Sequence, residues 1–152
     1  MKRVCLYSAV AVAAFALAGC NFGPPYCGTW TADVPLPFGN QTKKTTLTLK
    51  SDNTFTGVDE TPEIDIMGQK IPPFKTNSSG TYKIDKDNFT MTVATVALDP
   101  SSNIANPTLK DAIEKGLQIM VNKAQTGTYK LSDNNNTMVL TVSGTNVTFK
   151  RK

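Results

Sequence analysis

The chain contains no histidine. That absence removes the commonest general base and the commonest metal ligand together, and with them every Ser-His or Cys-His arrangement for nucleophilic catalysis. Cysteine is scarce as well, with only Cys5, Cys20 and Cys27. A zinc site needs several Cys or His ligands, and of these cysteines only Cys27 could contribute one, since Cys5 and Cys20 belong to the N-terminal leader. No glycine-rich phosphate loop occurs. The net charge of +4 over 152 residues is too small an excess to point to nucleic acid, and Lys150-Arg151-Lys152 reads as a solvated chain end. The acidic residues Asp59, Glu60, Glu63 and Asp65 could supply paired carboxylates for acid-base work, but charged side chains are mostly exposed and the cluster reads as a solvated loop. Asp85 to Asn88 lacks the glycine and distal glutamate of a calcium loop and reads as a hairpin turn. The expectation is therefore no metal, no cofactor, no nucleic acid and no enzyme.

Long apolar runs are also missing. The longest, Val4 to Ala18, falls short of the roughly 20 residues of a membrane-spanning helix. It follows Lys2-Arg3 and leads into Leu17-Ala18-Gly19-Cys20, the layout of an export signal. The ending resembles the bacterial lipobox. That resemblance implies cleavage after Gly19 and a diacylglyceryl thioether on Cys20, so that residues 1–19 are a lipoprotein signal peptide and residues 20–27 a lipidated N-terminus and short tether. Two or three acyl chains, at about 0.8 kcal/mol per buried CH₂, hold where one would not, so the expected partner of this end is a membrane. Asn21 follows Cys20 where enterobacterial lipoproteins kept at the inner membrane carry Asp, and that similarity implies the outer membrane of the cell envelope.

Without Met1 to Gly19 the chain keeps 133 residues and a net charge of +2, enough for one domain with a real core. Cys27 is then unpaired, so no internal disulfide staples the fold; as a small apolar residue before a strand it is expected to be buried, the alternative being an exposed thiol that pairs between molecules.

What is abundant is threonine, twenty-one in all, set in alternation with apolar residues. A β-branched residue with a hydroxyl suits the wet face of a strand. In Lys44 to Lys50, Leu47 and Leu49 face one way and Thr46 and Thr48 the other; after Ser-Asp-Asn, Phe55 returns inward. Two segments repeat: SGTYKIDKDNFTMTV from Ser79 and TGTYKLSDNNNTMVLTV from Thr126. Each reads as a hairpin around an Asp/Asn-rich turn, with Phe89, Met91 and Val93 on one face of the first and Met138, Leu140 and Val142 on one face of the second. A last strand carries Val147 and Phe149, and with Trp30 and a short strand near Ile64 the count reaches eight or nine. Thr61 to Ser79 and Asp99 to Ala105 read as irregular insertions, Pro72-Pro73 arguing against a central strand. One segment, Asn106 to Gln125, breaks the alternation: Leu109, Ala112, Ile113, Gly116, Leu117, Met120, Val121 and Ala124 recur at helical spacing, with Asn106 as N-cap and Pro107 at the first helical position.

Gly28-Thr29-Trp30 resembles the Gly-x-Trp motif that opens the first strand of lipocalins and their calycin relatives. The order Gly-x-Trp, LTLKSDNTFTG, two GTYK hairpins and a final TFK-R resembles small bacterial lipocalin-like lipoproteins. The resemblance implies an all-β, mainly antiparallel, single up-and-down barrel of about eight strands over residues 28–152, with one amphipathic helix inserted between strands. It also implies barrel closure by Gly28 and Trp30 packed under a basic side chain of the last strand, here Arg151, with Lys150 as its alternative. The helix departs from lipocalins, whose main helix follows the barrel.

Two functions remain open on this reading. In one, the barrel holds a small apolar ligand against Leu47, Leu49, Phe55, Tyr82, Phe89, Met91, Tyr129, Met138 and Leu140, gated by residues 104–124 and 64–74. In the other, those side chains form a dry core and the barrel is a rigid module that contacts an envelope protein, as an inhibitor or assembly accessory.

Overall fold

A computed structural model of the protein describes residues 23–36, 41–66 and 68–152. The predicted signal peptide, residues 1–19, and the predicted lipidation site Cys20 lie outside the described residues. Within them the chain forms β1 (Gly28–Pro35), β2 (Thr42–Leu49), β3 (Thr54–Thr61), β4 (Ile64–Ile66), β5 (Gln69–Ile71), β6 (Phe74–Asp85), β7 (Asn88–Leu98), α1 (Pro107–Gln118), β8 (Ala124–Ser132), β9 (Thr137–Val142) and β10 (Thr145–Arg151). Eight strands close a barrel in the order β1-β10-β9-β8-β7-β6-β3-β2, every neighbouring pair antiparallel, while β4 and β5 form a separate hairpin between β3 and β6. The fold is thus the all-β barrel with one inserted helix. Among the described residues no helix is long and apolar enough to cross a membrane.

The connections sort by end. At the closed end lie the β2–β3, β6–β7 and β8–β9 turns, the start of β1 and the end of β10; at the open end lie the β1–β2 connection, the β4–β5 hairpin, the α1 crossing and the β9–β10 turn. Turn chemistry explains the local sequence. Asp133, Asn134 and Asn135 all take left-handed backbone, which short polar side chains tolerate better than branched ones. Ser143 and Gly144 both have positive φ, the pattern that matches a two-residue hairpin loop to strand twist.

The two GTYK repeats have one physical basis. Gly80 pairs with Phe55 and Gly127 with Phe89. A Cβ on Gly80 would meet the Thr92 carbonyl at 2.0 Å and the Phe55 ring at 2.8 Å, and one on Gly127 would meet the Thr141 carbonyl at 2.1 Å. Each glycine therefore admits a close backbone approach that no other residue permits. Two residues on, Tyr82 and Tyr129 flank the ring of Tyr26, each edge-on at 6.1 Å.

Three sequence expectations change. The helix stops at Gln118: Asn106 caps it, accepting from the Thr108 and Leu109 amides, but Asn122 turns left-handed and Ala124 already belongs to β8. No α1 residue is fully buried, and of its predicted apolar face Leu109, Ile113 and Leu117 are half-covered while Ala112 and Gly116 are exposed. Within the stretch expected to be irregular from Thr61 to Ser79, the short strand expected near Ile64 is present as β4, but β5 and the first half of β6, the longest strand, are there as well. The segment expected to be a tether through residue 27 packs in its last part against the closed end, as described below.

The core differs along the barrel axis. Trp30, Leu49 and Met138 are its most fully buried side chains, and all three sit toward the closed end.

Candidate ligand cavity

The closed end is a packed plug. Trp30, from β1, is wholly buried, and its Nε1 donates to the Tyr26 carbonyl at 2.9 Å. The Arg151 guanidinium lies over the indole at 4.2 Å, donates from Nη1 to the Cys27 carbonyl at 2.8 Å and from Nε to the Asn135 carbonyl at 2.8 Å, and also bonds the Pro25 carbonyl. One side chain of the last strand thereby ties Pro25–Cys27 and the β8–β9 turn to the first strand. Register places it there, since Trp30 and Arg151 are paired across the seam. A cation–π contact of this kind contributes on the order of 0.5–2 kcal/mol. Lys150 points elsewhere and donates to Thr137 at 2.7 Å. Cys27 is buried, its Sγ 3.6 Å from the Tyr82 hydroxyl, which donates to the Lys50 carbonyl. Burial, and next the thiol contact, push the Tyr82 phenol well above its ordinary pKa of 10.0.

The open half is hollow. A cavity of about 770 Å³ lies inside the barrel, a size within the range of about 300–1,000 Å³ typical of small-molecule sites. Of the residues predicted to line it, Leu47, Phe55, Phe89, Met91 and Leu140 do so. Leu49, Tyr82, Tyr129 and Met138 do not: they lie below the cavity, among the plug residues. Val93, Val96, Val142, Val147 and Phe149 complete the apolar wall, and Leu117 and Met120, from α1 and the turn after it, look in from the mouth.

One side of the wall is polar, and sequence reasoning missed it. Thr45 of β2, Asp59 of β3 and Thr76 of β6 are direct neighbours across three strands, with Ser78 one row deeper beside Gly57. Lys43 donates to Asp59 Oδ2 at 2.6 Å, and Thr45 donates to its Oδ1 at 2.6 Å. The signal was the strand period itself: counting back from Leu47 by twos reaches Thr45 and Lys43, and forward from Phe55 reaches Gly57 and Asp59. The acidic cluster is accordingly divided. Asp59 faces the cavity, whereas Glu60 pairs outside with Lys75 at 2.9 Å, Glu63 with Lys70 at 3.4 Å, and Asp65 accepts from the Gly68 amide. No group of three or more Cys, Asp and Glu converges as metal ligands would among the described residues.

The wall is interrupted at the mouth. β7 runs on to Leu98, but its pairing with β8 ends at Thr92–Ala124. Beyond that point α1 and the turn after it take over: Gln118 donates to the Val96 carbonyl at 3.2 Å and the Asn122 amide to the Val93 carbonyl at 2.8 Å. A lightly packed helix thus covers a gap between two strands.

Fold and chamber together define a class, that of closed eight-stranded antiparallel barrels with an internal cavity. No family model and no curated protein matches the chain. Among solved structures it is similar to the crystal structure of an uncharacterized protein from Bacteroides eggerthii, at 15% identity and a TM-score of 0.47, over 84% of this chain and 99% of that one.

Proposed function

We propose that this protein is a lipocalin-like lipoprotein of the bacterial envelope that holds a small, largely apolar molecule in its barrel. The observation that carries the reading is the cavity, about 770 Å³ with mostly apolar walls, in the half of the barrel away from the Trp30 plug. A dry core would fill that half with side chains as it fills the other. The Gly28-x-Trp30 start under Arg151 supports the lipocalin likeness. The mouth segments, α1 and the β4–β5 hairpin, are the entry gate; α1 is suited to it because it buries no residue and is held to β7 by few bonds.

Export and anchoring rest on the leader and Cys20, with the outer membrane as the address. Because Pro25–Cys27 is latched to the closed end, only four residues separate the predicted lipid on Cys20 from the latch, a reach of about 17 Å at most. On this reading the plug faces the bilayer and the mouth faces away, so ligand enters from the aqueous side.

Purification without detergent, followed by mass spectrometry of extracted small molecules, tests the binding function. Recovery of a bound apolar compound from the wild type and its loss from the cavity-filling Leu140→Trp variant is the expected result. Absence of any compound, together with no uptake of an apolar fluorescent probe by the folded protein, overturns it.

A further inference from the structure

The cavity holds one cation and one anion, Lys43 and Asp59, and they hold each other. Resting on the reading of the chamber as a ligand site, we propose that its ligand is an uncharged, hydroxyl-bearing amphiphile. Its head sits at the Lys43–Asp59 pair and its apolar body extends toward Leu47, Phe55, Leu140 and Phe149.

The argument begins with what the pair offers. The Lys43 ammonium has three protons and spends one on Asp59 Oδ2; both Asp59 oxygens already accept one bond, from Lys43 and from Thr45, and each keeps a lone pair. A hydroxyl both donates and accepts, so it can take a proton from Lys43 and give its own to Asp59 while the ion pair stays intact. Thr76, the next residue in the same row, adds a third hydrogen-bonding group. A carboxylate head can only accept. It would reach Lys43 only by lying close to Asp59, where like charges in a partly desolvated site repel strongly. A cationic head meets the same objection from Lys43. The half-buried pair, its side chains 27% and 29% exposed, is thus neutral overall and selects neutral heads. The deeper wall, free of charge, suits an alkyl or acyl body.

The test compares monomyristoylglycerol with myristate, the same chain with an uncharged and an ionised head at neutral pH, by displacement of an apolar fluorescent probe. The wild-type protein is expected to bind the glyceride at least about tenfold more tightly. Asp59→Asn leaves Lys43 without its counter-ion and removes the carboxylate that accepts the head's hydroxyl, so it is expected to improve myristate binding by about tenfold or more while weakening glyceride binding, and the preference for the uncharged head is lost. Wild-type binding of myristate as tight as that of the glyceride overturns the proposal and leaves the cavity reading standing. Failure of both to displace probe that does bind also overturns it. If the wild type takes up neither lipid nor probe, the ligand-site reading itself falls and this proposal with it. Should Asp59→Asn unfold, the wild-type comparison alone decides.

Discussion

The two halves of the barrel are built from the same strands and differ in what fills them. Toward the closed end, Trp30, Leu49 and Met138 are shut away from solvent, three tyrosines pack edge to face, and Arg151 bolts the seam. Toward the open end the same strands surround a chamber whose wall is apolar on one side and hydroxyl-rich on the other. An eight-stranded barrel is wide enough either to be filled by its side chains or to hold a small ligand. This one does both, and the division falls where large residues give way to Gly57, Thr45, Thr76 and Ser78. The largest fully buried side chains are gathered in one half, and the cavity lies in the other.

Substitutions that strike each half test that division. The largest effect belongs to Trp30→Ala, which empties the plug and should lower unfolding free energy by about 3–5 kcal/mol in urea titrations. A paired comparison is sharper, because it holds chemistry fixed: Met138→Ala should cost about 2–5 kcal/mol, whereas Met91→Ala, already half-buried beside the cavity, should cost about 1 kcal/mol. Equal losses would mean that the open half is packed like the closed one. Arg151→Met should cost about 2 kcal/mol, through the lost indole contact and the backbone carbonyls left without a donor.

A smaller effect separates the halves by pH. The Tyr82 phenol is held above its ordinary value by burial, so its neutral form is favoured in the folded state only. The stability this confers is intact below pH 10 and is lost as the pH rises beyond it, because the unfolded chain ionises first. The urea midpoint should therefore fall as the pH rises above about 10 in the wild type and fall less in Tyr82→Phe. The smallest effect is expected for Ile119→Lys at the mouth, where the side chain is 62% exposed; melting should shift by no more than about 0.5 kcal/mol allows.

Much of this fold is legible in the sequence because the inner face announces itself by period-two alternation. Leu47, Leu49, Phe55, Phe89 and Met138 did so, and the Asp/Asn turns marked where strands reverse. Legibility failed where the inner face is polar. The start of β6 reads Phe-Lys-Thr-Asn-Ser-Ser, and its inward residues Thr76 and Ser78 line a cavity rather than a core, so no apolar alternation survives to mark a strand. Asp59 was misplaced for the same reason, since an acid next to Glu60 looks solvated until register turns it inward. The helix overran because Met120, Val121 and Ala124 continue its spacing by accident of a turn and a strand start. How deep the cavity reaches was not readable at all. Leu49 and Leu47 are two residues apart on one face, yet only Leu47 meets open space, a matter of barrel closure rather than of local pattern.

The central claim, one hollow half and one packed half, is tested most directly by methyl-resolved NMR during titration with the apolar probe N-phenyl-naphthylamine. The account predicts saturable shifts at Met91, Leu47 and Leu140 with none at Met138 or Leu49. Shifts at Met138 and Leu49 equal to those at Met91, or none anywhere while the probe binds, would contradict it.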